Sequence, residues 1–103
     1  MVGVVTFAIY RIALYMIRKE VTIINAVGLH ARPASKIVQI AAGSKASLWI
    51  EKDGERVNGK SILGVMMLAA EKGSKIILEA KGEGEGELIQ QLVELFQNKF
   101  YED

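Results

Sequence analysis

The apolar positions divide most of the chain into seven segments whose periods switch between two and about three and a half. Residues 20–25, Glu-Val-Thr-Ile-Ile-Asn, are short and rich in β-branched side chains, and the turn-former Gly28 follows. This predicts a first strand ending near Asn25. Beyond Pro33 the apolar residues Ala34, Ile37, Val38 and Ala41 fall at i, i+3, i+4 and i+7, the stripe of an amphipathic helix that exits at Gly43. Pro33 suits the first helical turn, where its missing N–H is not needed. Residues 46–52 and 55–58 flank Asp53-Gly54, a strong hairpin signal. Ser61 then stands as a candidate N-cap. From residue 62 to 70 every side chain except Gly64 is apolar, more than a short helix can hide unless something packs on both of its faces. Residues 75–80 predict a last strand, and Leu88, Ile89, Leu92, Leu95 and Phe96 trace a final helix stripe. The predicted order is βαββαβα. At these lengths it implies an α+β, open-faced β-sandwich: a four-stranded, mostly antiparallel sheet with three helices on one face.

Residues 1–17 stand apart from this pattern, being apolar except for Gly3, Thr6 and Arg11. A membrane-spanning helix needs about 20 predominantly apolar residues, and here Arg11 interrupts the run and Arg18, Lys19 and Glu20 end it. No membrane span is expected. Nor does the stretch have the positive start and small-x-small cleavage site of a secretory signal. Three readings remain for residues 1–15: an element packed on the domain or a neighbour, an interfacial anchor, or an extension produced by a mis-assigned start, Met16 being a possible initiator. The expected division is an apolar extension, residues 1–15, followed by one domain, residues 16–103.

Composition narrows the chemistry further. Lysine and arginine total 13 against 12 acidic residues, a formal net charge of +1, so no global field draws the chain to nucleic acid or to an anionic membrane. No basic run interleaved with aromatics signals nucleic-acid binding either. With no cysteine and one histidine, disulfides, thiolate nucleophiles, sulfur metal sites and multi-histidine metal clusters are excluded, and no metal or cofactor is expected. The run 82–87, Gly-Glu-Gly-Glu-Gly-Glu, lacks the spacing of a dinucleotide loop, and its carboxylates repel phosphate. It reads as a loop whose Glu85 and Glu87 favour the positive end of the last helix.

The single histidine, His30, lies between Gly28-Leu29 and Ala31-Arg32-Pro33, at the entrance of the first predicted helix. Unpaired backbone N–H groups and the helix dipole stabilise an anion there, and Arg32 adds a planar cation suited to phosphate oxygens. A neutral imidazole is a competent nucleophile near pH 7. Together these groups can accept a phosphoryl group and release it again; the plainer alternative is an ordinary surface histidine beside an arginine. A small enzyme using His30 as general base lacks a nearby carboxylate in sequence to orient the ring.

The segments Gly28-Leu29-His30-Ala31-Arg32-Pro33-Ala34 and Val57-Asn58-Gly59-Lys60-Ser61-Ile62-Leu63-Gly64-Val65-Met66-Met67-Leu68 resemble the two signature stretches of HPr, the histidine-containing phosphocarrier family of the phosphoenolpyruvate-dependent sugar phosphotransferase system. The resemblance runs from about Met16 to the C-terminus. It implies that His30 is phosphorylated through Nδ1, that Arg32 assists, and that Pro33 shapes the helix start. It also implies a cytoplasmic carrier that is not itself an enzyme, with enzyme I as donor and enzyme IIA-type proteins as acceptors. Val27 departs from the small polar residue that many members place before the glycine, and Lys81 and Gly84 replace residues that are often acidic.

Ser61 has an ordinary role as an N-cap, worth about 1 kcal/mol. In the family the matching serine is, in many bacteria, the target of a regulatory kinase, which adds HPr kinase/phosphorylase and a transcription regulator to the implied partners. Ile62, Leu63 and Met66 match the family's docking patch, and flexible methionines suit several partners; the alternative is that they are core. The rival function is a regulatory binding module, a catabolite-control co-regulator acting mainly through phospho-Ser61.

Overall fold

Strand β1, Met16–Thr22, pairs antiparallel with β4, Lys75–Lys81, in a ladder running from Met16 opposite Lys81 to Thr22 opposite Lys75. It therefore begins and ends earlier than the predicted 20–25. Ile23 stays tied to the sheet end, its N–H donating to the Ser74 carbonyl and its carbonyl accepting from Gly73, at 2.9 and 2.7 Å, while Ile24 and Asn25 already belong to the following turn. The computed structural model describes residues 16–102; the expectation for residues 1–15 lies outside them. Among the described residues no helix is long and apolar enough to cross a membrane.

Helix α1, Ala31–Ala42, is followed by β2, Ser47–Lys52, and β3, Glu55–Asn58. Asp53 and Gly54 both have positive φ, 51° and 81°, the geometry of the two-residue turn that matches strand twist. Helix α2, Ile62–Met67, precedes β4, and α3, Glu85–Gln97, runs into a short 3₁₀ turn, Lys99–Tyr101. The sheet order is β1-β4-β2-β3, every pair antiparallel. This is the predicted α+β open-faced sandwich.

Alternation assigns the sheet two distinct faces. Leu48, Ile50, Ile76, Leu78 and Ala80 point inward and are buried against Ala34, Ile37 and Ala41 of α1 and Leu88, Leu92 and Phe96 of α3. Full burial of each larger side chain contributes roughly 1.5–3 kcal/mol. Phe100, also fully buried, packs tilted on Phe96 with ring centroids 4.8 Å apart, so the chain's last turn closes one end of the core.

The outer face carries an ion-pair cluster spanning all four strands. Glu79 of β4 accepts from Arg18 of β1 at 2.6 Å and from Arg56 of β3 at 2.5 Å, and Glu51 of β2 pairs with the same two arginines at 3.3 and 3.4 Å. Arg56 also lies over the Trp49 ring, 4.8 Å from its centroid. The hydrogen bond from Arg56, seconded by that from Arg18, holds the Glu79 carboxyl below its usual range despite burial, which acts in the opposite sense. A carboxylate with a lowered folded pKa stabilises the fold above its unfolded pKa, and that contribution is lost as pH falls through the folded value. Urea midpoints of the wild type and of Glu79→Gln should therefore differ most near neutral pH and converge in acid, below the ordinary carboxyl value of 4.5. A gap unchanged down to the acid limit would remove the cluster from the stability of the sheet.

Candidate functional site

The turn between β1 and α1 is built by three contacts. The Asn25 carboxamide, fully buried, donates to the Gly28 carbonyl at 2.9 Å. Gly28 adopts φ +70°, a left-handed conformation that only glycine takes without strain. The N–H of Leu29 then donates to the Ala70 carbonyl at 2.9 Å, and the Leu29 side chain enters the core. This anchoring fixes where the next residue emerges.

That residue is His30, the N-cap of α1, with extended backbone (φ −68°, ψ −178°) and an exposed side chain. Its carbonyl accepts the first helical hydrogen bond, from Ala34 at 2.9 Å. Among the described residues no side chain caps the helix, and no acidic residue occupies its first turn, so the terminal amides and the positive end of the dipole face outward beside the imidazole. Arg32 is exposed in the same turn, and among the described residues no hydrogen bond or ion pair engages its guanidinium. Pro33 is buried and lies third in the helix, where no intrahelical acceptor exists for an N–H. Val27 is exposed on the preceding turn and offers no hydrogen bond to an anion. Among the described residues no cluster of potential metal ligands occurs.

Helix α2 packs on α1, and the segment leaving it supplies the Ala70 carbonyl that holds Leu29. Ser61 caps α2, its Oγ accepting from the Gly64 N–H at 3.0 Å. Of the nine residues 62–70, only Val65, Leu68 and Ala70 are buried. Ile62, Leu63, Met66 and Met67 are exposed by 42, 69, 39 and 65%, an apolar surface of the kind that marks an interaction site rather than a core. Met67 belongs to it beside the three residues singled out from sequence. Lys60 reaches across to the Ser44 carbonyl at 2.9 Å and ties the entrance of α2 to the exit of α1.

An exposed imidazole at the mouth of α1, on an open-faced α+β sandwich and beside an arginine that no described residue engages, is an arrangement suited to presenting one side chain at the surface rather than to enclosing a substrate. Residues 17–98 match the family described as the HPr component phosphorylation site of the phosphotransferase system. The chain is 46% identical over 87 residues to the phosphocarrier protein HPr of Neisseria meningitidis serogroup A, covering 84% of this chain and 98% of that protein. It is 48% identical over 84 residues to HPr of Pseudomonas aeruginosa, covering 81 and 93%. The crystal structure of HPr-C-His from Thermoanaerobacter tengcongensis superposes with a TM-score of 0.81 at 42% identity, covering 84% of this chain and 98% of that one. The chain belongs to the HPr family, phosphocarriers of the phosphotransferase system rather than catalysts.

Proposed function

We propose that this chain carries a phosphoryl group on Nδ1 of His30, taking it from enzyme I and passing it to enzyme IIA-type acceptors in sugar uptake. The observation that carries the reading is the uncapped N-terminus of α1 with the exposed imidazole at its mouth. In the first step the bond from phosphorus to the donor breaks as the bond to Nδ1 forms; in the second the bond to Nδ1 breaks as the acceptor's forms. Such transfer depends on positioning and charge stabilisation. The dianionic phosphoryl oxygens would meet the free amides of the first helical turn and the Arg32 guanidinium, and Pro33 stiffens the turn that presents them. The exposed residues Ile62, Leu63, Met66 and Met67 are the docking surface for both partners. A cytoplasmic location follows from the family's pathway.

Regulation belongs to the same reading. Phosphate on Ser61 would stand at the start of α2, next to the apolar docking residues, and up to two added negative charges there weaken partner binding. HPr kinase/phosphorylase and a transcription regulator would be the corresponding partners. Labelling tests both assignments. Phosphate from phosphoenolpyruvate and enzyme I should be acid-labile, as phosphohistidine is, whereas phosphate from ATP and the kinase should be acid-stable and absent from Ser61→Ala. Acid-stable label from phosphoenolpyruvate would overturn the His30 assignment, and ATP label persisting in Ser61→Ala would overturn the regulatory one.

A further inference from the structure

The turn that presents His30 depends on a side chain five residues upstream that the phosphotransfer reading does not use. Asn25 is fully buried, and its Nδ2 donates in two directions: to the Gly28 carbonyl at 2.9 Å and to Oε1 of Glu102 at 3.3 Å. Both neighbours are acceptors, so the carboxamide has one usable orientation. Among the described residues that orientation leaves its Oδ1 buried without a donor, an arrangement that ordinarily counts against a residue in a core. An alanine or a small apolar residue would avoid the orphan oxygen. Retaining the amide is reasonable if the two N–H bonds accomplish something that stability alone does not require.

What they fix is the backbone beneath the imidazole. The Gly28 carbonyl is part of the left-handed turn, Leu29 is clamped through its N–H to Ala70, and His30 follows directly. Glu102 is itself placed by the chain's last turn: Phe100 is buried against Phe96, and its carbonyl accepts from Lys36 of α1. The C-terminal segment thus reaches from α1 to the β1–α1 turn, and Asn25 is the link between the two.

We propose that Asn25 is a positioning residue for phosphotransfer, its carboxamide bridging Glu102 and the Gly28 carbonyl so that the imidazole of His30 is held over the mouth of α1. The proposal rests on the assignment of His30 as phosphoacceptor. It makes the rate of transfer sensitive to a donor atom that touches neither phosphate nor partner. Small displacements of a reacting group are costly in rate, and loss of one such hydrogen bond corresponds to about a tenfold effect.

The experiment compares wild type with Asn25→Ala and Asn25→Asp, the second of which keeps the shape and removes the N–H groups, after thermal unfolding has shown each variant folded. Steady-state transfer from phosphoenolpyruvate and enzyme I is measured with the carrier as varied substrate, together with amide hydrogen exchange of Leu29, whose N–H is bonded to Ala70. The expected result is kcat lower by about tenfold in both variants with KM unchanged, because the docking surface is intact, and faster exchange at the Leu29 amide. Glu102→Gln, which keeps an acceptor facing Asn25, should transfer like wild type. Wild-type kcat in the folded Asn25 variants, a change confined to KM, or unaltered exchange would overturn the proposal. A wild-type protein that takes no label would instead overturn the phosphoacceptor assignment, and exchange alone would then judge whether Asn25 orders the turn.

Discussion

His30→Ala should take up no phosphate from phosphoenolpyruvate and enzyme I, a fall on the order of 10⁴-fold or more, as expected when the attacking atom itself is removed. The loss should come without a change in fold. The side chain is exposed and caps nothing, so its removal opens no cavity, and surface substitutions away from such features usually cost within about 0.5 kcal/mol. Binding should survive as well, because the docking surface proposed on α2 does not include the imidazole. The variant should therefore compete with wild type for enzyme I, with an inhibition constant close to the wild-type KM. Arg32→Ala should lie between the two proteins: the nucleophile remains, while one of the groups facing the incoming charge is gone. Label retained by His30→Ala would move the phosphoacceptor elsewhere, and loss of competition would show that the histidine also serves docking.

Much of this architecture was legible because local pattern and tertiary role coincide. The stripe Ala34, Ile37 and Ala41 is the buried face of α1, Asp53-Gly54 is a two-residue turn, and Leu88, Ile89, Leu92, Leu95 and Phe96 are buried along α3. The apolar excess in residues 62–70 was also informative, and the structure resolves the choice between core and surface: Val65 and Leu68 go inward, Ile62, Leu63 and Met66 outward. The first strand was displaced because β-branched residues continue through Ile23 and Ile24, whereas pairing with β4 ends at Thr22. Position in the chain sufficed to place His30 at a helix mouth. It did not reveal what holds that mouth, since Asn25 and Glu102 are separated by 77 residues and share no periodic signal. The cluster of Arg18, Glu51, Arg56 and Glu79 was hidden for the same reason, its members being brought together by strand order alone.

Gly28→Ala should be the most damaging single-methyl change near the site. Two effects combine. At φ +70° an L-residue clashes with its own backbone, costing roughly 1–2 kcal/mol. The added Cβ would also sit well inside van der Waals contact of the Ala70 carbonyl oxygen and 3.0 Å from Glu71 Cα. Those are backbone atoms, which cannot rotate away as a side chain can. The turn would have to lift from residues 70–71, and the Leu29 N–H would lose the same Ala70 oxygen, about 1 kcal/mol more. A total near 3 kcal/mol corresponds to a melting temperature lower by roughly 10–20 °C in a domain of this size. Gly54→Ala separates the two effects: its φ is +81°, yet none of the described residues lies within 4 Å of the added Cβ, so only the conformational cost applies. Denaturant unfolding of the pair should show Gly28→Ala destabilised about twice as much or more. The transfer rate of the surviving folded protein should fall on the order of 10²-fold, the scale set by displacing a reacting group by about 1 Å, while Gly54→Ala transfers normally. Equal destabilisation of the two variants would mean that the β1–α1 turn yields freely at Ala70, and a Gly28→Ala carrier at full speed would mean that the imidazole does not depend on that turn for its place at the helix mouth.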